Sequence, residues 1–284
     1  MSDGDTSNAA WQGFIDKWLA AQPQQRVALV FVDGHRHPGH IALAALEQEL
    51  LDAAYGIREP QVAAAKLGWW AEELSGAASS GGRHPLTQVL FDDERAHAIA
   101  AEQWVAPVLA AMAQLEQGTA ADFAAQLDAA MPLHGALAAL ETAWWYGAAA
   151  PSDRAAKLAT LDHLLDALLR TEVDAGRDRL PLSMANLARH GLSRAQLGQA
   201  SAARQQAIQD QLRELLQSWR EAARLPGPLS VFRALASSHG MRMAQRAARA
   251  PDALASLGAE RPRIRPVTTW RAWQAARAWR RNAS

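Results

Sequence analysis

The sequence predicts an all-α protein, one bundle of many helices. Alanine is abundant and β-branched residues are scarce, a composition that favours helix. Apolar residues recur at three- and four-residue spacing along most of the chain, the period of one helix face. The 284 residues are enough to bury a sizeable core. Neither an internal repeat nor a composition break divides them. Residues 1–10 are expected as a disordered tail and 11–284 as a single helical domain.

The elements follow in order. Trp11, Phe14, Ile15, Trp18 and Leu19 mark an amphipathic first helix, with Pro23 near its end. Val27–Val32 is a short apolar run that periodicity leaves open to helix or strand. Gly34–Gly39 is a loop, and Ile41–Tyr55 a helix with Leu43, Leu46, Leu50 and Leu51 inward. The helix bearing Trp69 and Trp70 comes next. Thr87–Leu115 reads as helical, with Pro107 marking a kink or break. Ala120–Asp128 is a short helix capped by Thr119, and Leu133–Tyr146 another. Pro151-Ser152-Asp153 opens a helix from Arg154 to about Thr171. After a Gly176–Pro181 loop come short helices over Ser183–His190 and Ser193–Gln196. Ala200–Ala223 is long and amphipathic, and Pro226-Gly227-Pro228 stops it. Leu229–Ala250 is helical, and an Arg261–Pro266 connector leads to a terminal helix, Thr268–Arg281.

Composition excludes several functions. A formal net charge of zero argues against a general nucleic-acid binder, which carries a basic excess. Cysteine is absent, which rules out disulfides, thiolate metal sites and thiol catalysis. It also fits a reducing compartment, so a cytoplasmic location is expected. The polar, acidic N-terminus has no signal-peptide pattern, and no apolar run is long enough to span a bilayer. GxSxG, P-loop and GxGxxG motifs are absent, so nothing supports a hydrolase or nucleotide enzyme.

The most informative segment is Glu59-Pro60, then Lys66-Leu67-Gly68-Trp69-Trp70-Ala71-Glu72-Glu73-Leu74, then Arg83-His84-Pro85-Leu86-Thr87. Neighbouring Trp side chains on a helix point about 100° apart, so one enters a core and the other meets something else. The segment resembles a phrase of the squalene/phytoene synthase family, the head-to-head prenyl synthases. Gly176-Arg177-Asp178-Arg179-Leu180-Pro181 and Asn186-Leu187-Ala188-Arg189-His190-Gly191-Leu192-Ser193 resemble a second phrase of that family, in the right order. The resemblance covers roughly residues 25–280. It implies an isoprenoid-synthase-like bundle around a central cavity, with one indole of the Trp69–Trp70 pair lining that cavity.

The resemblance also implies a chemistry. Family members ionise prenyl diphosphates with Mg²⁺ held by two DxxxD motifs on facing helices. Spacing of four puts both carboxylates on one helix face. Counting back from Glu59-Pro60, Glu49 falls at the first Asp, but four residues on stands Ala53, and Asp52 is only three away. A solvated acidic face (Glu47, Glu49, Asp52) is the plainer alternative. Asp162 and Asp166 have the literal DxxxD spacing. Alignment on Leu161, however, moves the family's acidic positions to Ala167 and Thr171. Candidate metal ligands are therefore Glu49, Asp162 and Asp166, for Mg²⁺ if the protein is active. Lys66, Arg83, Arg177 and Arg179 are candidates to grip a diphosphate without metal.

Asp33, His35, His37 and His40 are dense in metal-ligand types, but Pro38 and Gly39 break their register, and a capping loop is the simpler role. In the terminal helix, Trp270, Trp273 and Arg277 share a face surrounded by Arg271, Trp279, Arg280 and Arg281. That face either packs on the core by its Trp residues or makes peripheral contact with a membrane, the inner membrane for a cytoplasmic protein.

Two functions remain. One is a synthase-like protein with degenerate Asp motifs, impaired in catalysis, that binds a prenyl lipid or isoprenyl diphosphate or serves as an assembly or scaffold protein. The other is an active Mg²⁺-dependent prenyltransferase with shifted acids. Carboxylates facing each other across a cavity, close enough to share Mg²⁺, favour the enzyme.

Overall fold

The computed structural model describes residues 3–174 and 179–282, and no strand occurs among them. The chain runs α1 (Asp3–Ala21), α2 (Gln25–Ala28) and α3 (Pro38–Leu51), which continues into a π-helical turn (Asp52–Gly56). Then come α4 (Pro60–Ser80), α5 (Pro85–Phe91), α6 (Glu94–His97), α7 (Ala101–Gln114) and α8 (Phe123–Tyr146). The second half holds α9 (Asp153–Leu169), α10 (Thr171–Asp174), α11 (Met184–Arg189), α12 (Arg194–Leu197), α13 (Ala202–Ala222), α14 (Val231–Ala247), α15 (Ala253–Glu260) and α16 (Pro266–Asn282).

Local chemistry sets most of these boundaries. Pro stands in the first turn of α3, α4 and α5, where its missing N–H costs nothing. Asp93, Asp122, Ser183, Ser201, Ser230 and Asp252 each accept a hydrogen bond from a backbone N–H of the first turn they cap. Several elements differ from expectation. The first helix already starts at Asp3, so the stretch expected as a tail continues it. Val27–Val32 is no strand: α2 forms its start and buries Val27 and Ala28. Thr87–Leu115 splits into α5, α6 and α7, because Asp93 caps a new helix, while Pro107 lies inside α7 without ending it. The two helices expected over 120–146 are one, α8, which runs through Pro132. Asp122 caps it in place of Thr119, whose hydroxyl instead accepts from Leu180 N (3.0 Å).

Two hydrophobic clusters make the core. One joins α1, α3, α4, α7, α8 and α16 around Trp18, Leu46, Leu67, Trp70, Trp104 and Trp144. The other joins α9, α13, α14 and α15 around Leu161, Leu165, Ile208, Leu212, Trp219 and Leu257. Between them lies a cavity. The π-helical turn enters it from one side and α9 from the other.

Candidate functional site

The cavity has two chambers. The larger, 560 Å³, is lined by apolar groups such as Ala54, Ile57, Leu115, Ala130, Leu164 and Ala167, with Arg58, Arg170 and Arg179 among them. The smaller, 280 Å³, is polar and includes Glu47, Asp52, Asp162, Asp166, Arg233 and His239. Tyr55, His163 and Arg170 line both and so form the partition.

The partition is a stack of rings. Tyr55 lies 4.1 Å from His163, centroid to centroid, and His163 lies 4.5 Å from His134. The Arg179 guanidinium sits over the Tyr55 ring at 4.9 Å and donates to Gln114 Oε1 at 3.2 Å. The Tyr55 hydroxyl donates to the same oxygen at 3.3 Å. Burial holds the Tyr55 phenol above its ordinary pKa, although Arg179 and Arg170 pull the other way. Burial, reinforced by Arg233, lowers His134 to about 3. Burial, then His134, Arg170 and Arg179, push His163 well down. Both imidazoles are therefore neutral, and the positive charge at this corner belongs to the arginines.

Arg233 of α14 anchors the polar chamber. Its Nε donates to Glu141 Oε2 (2.9 Å) and its Nη2 to both oxygens of Glu47 (2.8 Å each), while Ser230 donates to Glu141. All three charged side chains are nearly enclosed, where an unpaired charge would be costly.

The predicted acids are placed as follows. Glu49 does not line either chamber. It forms ion pairs with Lys17 of α1 and with Lys66 of α4, the latter at 2.8 Å. Burial pushes its carboxyl up, but the two lysines outweigh burial and lower it. Asp52, at the start of the π-helical turn, faces the chamber and is held by Lys17 and Gln48, each at 2.8 Å. Asp162 and Asp166 line the opposite wall. Asp166 lies 3.8 Å from Arg261. Both oxygens of Asp162 are enclosed without a hydrogen-bond partner. Burial raises its pKa well above its ordinary value despite Arg233, with Asp166 and Glu47 adding to the rise.

Facing helices therefore do carry acids across a cavity, but not the expected set. Mg²⁺ takes near-octahedral oxygen coordination at short range, usually from one or two carboxylates free to bind it together with waters and substrate phosphates. Glu47, Asp52 and Asp166 already meet Arg233, Lys17 and Arg261, and burial pushes Asp162 toward its neutral form. Among the described residues, no group of three or more His, Asp or Glu is placed to hold a metal. This donor set does not fit the ion.

The predicted diphosphate grips also divide. Lys66 serves Glu49, Arg83 serves Glu73 at 2.9 Å, and Arg177 lies outside the described residues. Arg179 lines the larger chamber. Arg170, Arg58, Tyr55 and His134 were not singled out by sequence. The available signal was a stripe: Gln48, Asp52 and Tyr55, like His163, Asp166 and Arg170, follow helical spacing along one face.

The Trp pair is a correction. Trp70 is buried in the core between helices, and Trp69 is 41% exposed, edge-on to Trp70 and His84. Neither indole lines a chamber, because α4 turns this face toward α5. Glu73, one turn on, is the hub there. It accepts from Arg83 N (2.7 Å), His84 N (2.9 Å), Thr87 Oγ1 (2.6 Å) and Arg83 Nε (2.9 Å). The histidine loop is structural too. His40 is buried, and its Nδ1 accepts from Trp144 Nε1 at 3.1 Å.

Compared with solved structures, the chain is similar to squalene synthase HpnC from Alicyclobacillus acidocaldarius, with TM-score 0.59 and 15% identity over 89% of this chain and 94% of that one. It is also similar to a dehydrosqualene synthase solved with a ligand, with TM-score 0.62 and 12% identity over 98% of this chain and 97% of that one. No family model and no curated protein sequence matches it. The chain thus has the all-α, isoprenoid-synthase-like fold that its two phrases imply.

Proposed function

We propose that this protein binds a prenyl lipid or isoprenyl diphosphate in its cavity and does not ionise it with Mg²⁺. One contrast supports this most directly. The acids of the polar chamber are committed to the chain's own cations or pushed by burial toward the neutral form, whereas the larger, mostly apolar chamber presents three guanidinium groups, Arg58, Arg170 and Arg179, against one acid, Asp174, which pairs with Arg170 at 3.3 Å. An apolar chamber with a few convergent polar groups is the usual form of a small-molecule site. Guanidinium groups take phosphate oxygens in pairs. At the position where the second acidic motif would begin stands Ala167, which lines this chamber. It offers a tail surface and no metal ligand. Fold likeness to a squalene synthase and a dehydrosqualene synthase is consistent with a lipidic ligand.

Farnesyl and geranylgeranyl diphosphate, titrated with Mg²⁺ and with EDTA, test this. Binding is expected to persist in EDTA, without pyrophosphate release. Mg²⁺-dependent release of pyrophosphate would restore the enzyme reading. No binding of either compound would remove the ligand and leave a non-catalytic assembly role.

A further inference from the structure

The terminal helix has two faces of opposite character. Thr268, Ala272, Ala276 and Trp279 are buried, and the Trp279 ring packs edge-on against His37, His40 and Trp145. Packing on the core thus uses one tryptophan. Trp270 is 50% exposed and Trp273 43% exposed. Ile264 and Val267 are exposed as well and continue the same three-residue spacing back into the connector. These four large apolar groups form a ridge rather than a scatter of single exposed side chains.

The ridge is set in positive charge. α16 carries Arg271, Arg277, Arg280 and Arg281 and no acid. Arg271 lies over the Trp270 ring and Arg277 over the Trp273 ring, each at 5.5 Å. Arg242 of α14 is close enough to be perturbed. Burial lowers its pKa first, then repulsion from Arg271, Arg246 and Arg265, and its Nη2 is enclosed without a partner. The nearby acid Glu260 is already shared by Arg246 (3.5 Å), Arg263 (3.1 Å) and Arg265 (2.8 Å). A chain of zero net charge therefore concentrates a cationic surplus here, around exposed indoles.

We propose that α16 and the connector before it dock on the surface of an anionic lipid bilayer, Trp270 and Trp273 in the headgroup layer and Arg271 and Arg277 on lipid phosphates. Charge complementarity selects this occupant. Anionic headgroups relieve the repulsion among the arginines, and the interfacial layer takes indole rings and the Ile264 and Val267 side chains. A nucleic acid would satisfy the arginines and leave the apolar ridge in water. No described helix is long and apolar enough to cross a membrane, so the contact lies in the interface plane. Arg261, which lines the polar chamber, opens the same connector, so docking brings one edge of the cavity toward the lipid.

Cosedimentation of the full chain with vesicles tests the proposal, independently of any cavity ligand. Vesicles of phosphatidylcholine alone are compared with vesicles containing phosphatidylglycerol. Binding is expected only with phosphatidylglycerol and weakens as salt rises. Arg271→Ala and Arg277→Ala should each lower partitioning about fivefold. Trp270→Ser with Trp273→Ser should abolish it with unchanged thermal melting, since both side chains face outward. Equal binding to both vesicles, no binding to either, or wild-type binding by the tryptophan double variant would overturn the proposal. Tighter binding to duplex DNA than to the anionic vesicles would overturn it too.

Discussion

Glu73→Gln removes one charge and almost no volume, and its effect can be worked from the site. The carboxylate is 1% exposed. Burial alone would raise its pKa. The hydrogen bonds from Thr87, from the His84 and Arg83 amides and from the Arg83 guanidinium outweigh burial and hold it at about 2. An unfolded Glu titrates at about 4.3. The gap of roughly two units, at about 1.4 kcal/mol each, makes the folded site worth about 3 kcal/mol at neutral pH. Because the folded pKa is depressed, that contribution is fully present above about pH 4.3 and is lost as pH falls toward 2. The glutamine side chain keeps an acceptor for the two amides but offers no charge to Arg83. Urea titrations of both proteins at a series of pH values are the assay. Glu73→Gln should be less stable by about 3 kcal/mol at pH 7, and the gap should close between about pH 4 and pH 2. The other carboxylates titrate in both proteins and cancel. A gap that is absent at pH 7, or unchanged at acid pH, would refute the assignment of Glu73 as the ionised hub.

Three further outcomes follow from the same structure. Arg170→Ala with Arg179→Ala should weaken farnesyl diphosphate binding at least tenfold, at about 1.5–3 kcal/mol per charged hydrogen bond, measured by titration calorimetry in EDTA. Asp162→Asn should stabilise the protein at pH 7: the folded pKa is raised, so wild type takes up a proton on folding and loses stability as pH rises above about 3.9. Melting temperatures against pH should show that decline in wild type and its loss in the variant. Gly240→Ala should cost about 1–3 kcal/mol in denaturant melts, since a Cβ there meets Asp162 Oδ1 at 2.9 Å and Leu165 Cδ2 at 3.4 Å.

What was legible in sequence is what local physics decides. Trp11 to Leu19 and Ala202 to Ala222 show their faces because one side is buried and the other wet. The break at Asp92-Asp93 was within reach, as a capping Asp before a short helix, but a run of acids there also suits a helix dipole. Continuity of α8 through Pro132 was not, because packing of α7 and α9 along α8 holds the helix together and Gln114 donates to the Ala129 carbonyl near the proline. In the site, Arg179 was readable from its phrase. Arg170 was not: at the end of a helix a basic residue has an ordinary role at the dipole, and only the approach of the π-helical turn makes it a cavity wall. Tyr55 depends on that turn's wider winding, which periodicity does not encode. The faces of α16 were hidden for a related reason. Trp270 and Trp279 look alike in sequence, and only the position of His37 and His40 at the start of α3 and of Trp145 on α8 decides that Trp279 is the one covered.

The signature phrase and the acids answer to different physical demands, and so they can part. Glu73, Arg83, His84 and Thr87 satisfy one another by hydrogen bonds, and Trp70 packs edge-on against the His84 ring. They clasp α4 to α5, and folding alone keeps such a set intact. Acids on a cavity wall have no such self-sufficiency. A half-enclosed carboxylate is costly unless something positive meets it. In a metal-dependent site the ion does this. Here Lys17 takes Asp52, Arg233 takes Glu47, Arg261 approaches Asp166, and burial favours the neutral form of Asp162. Any Mg²⁺ entering the polar chamber would have to displace these cations. It would then strand the enclosed Arg233 charge in place of the carboxylates it took. The internal cations therefore do more than coincide with the displaced DxxxD spacing. They make the acids that remain poor ligands, even where their spacing along the helix is right.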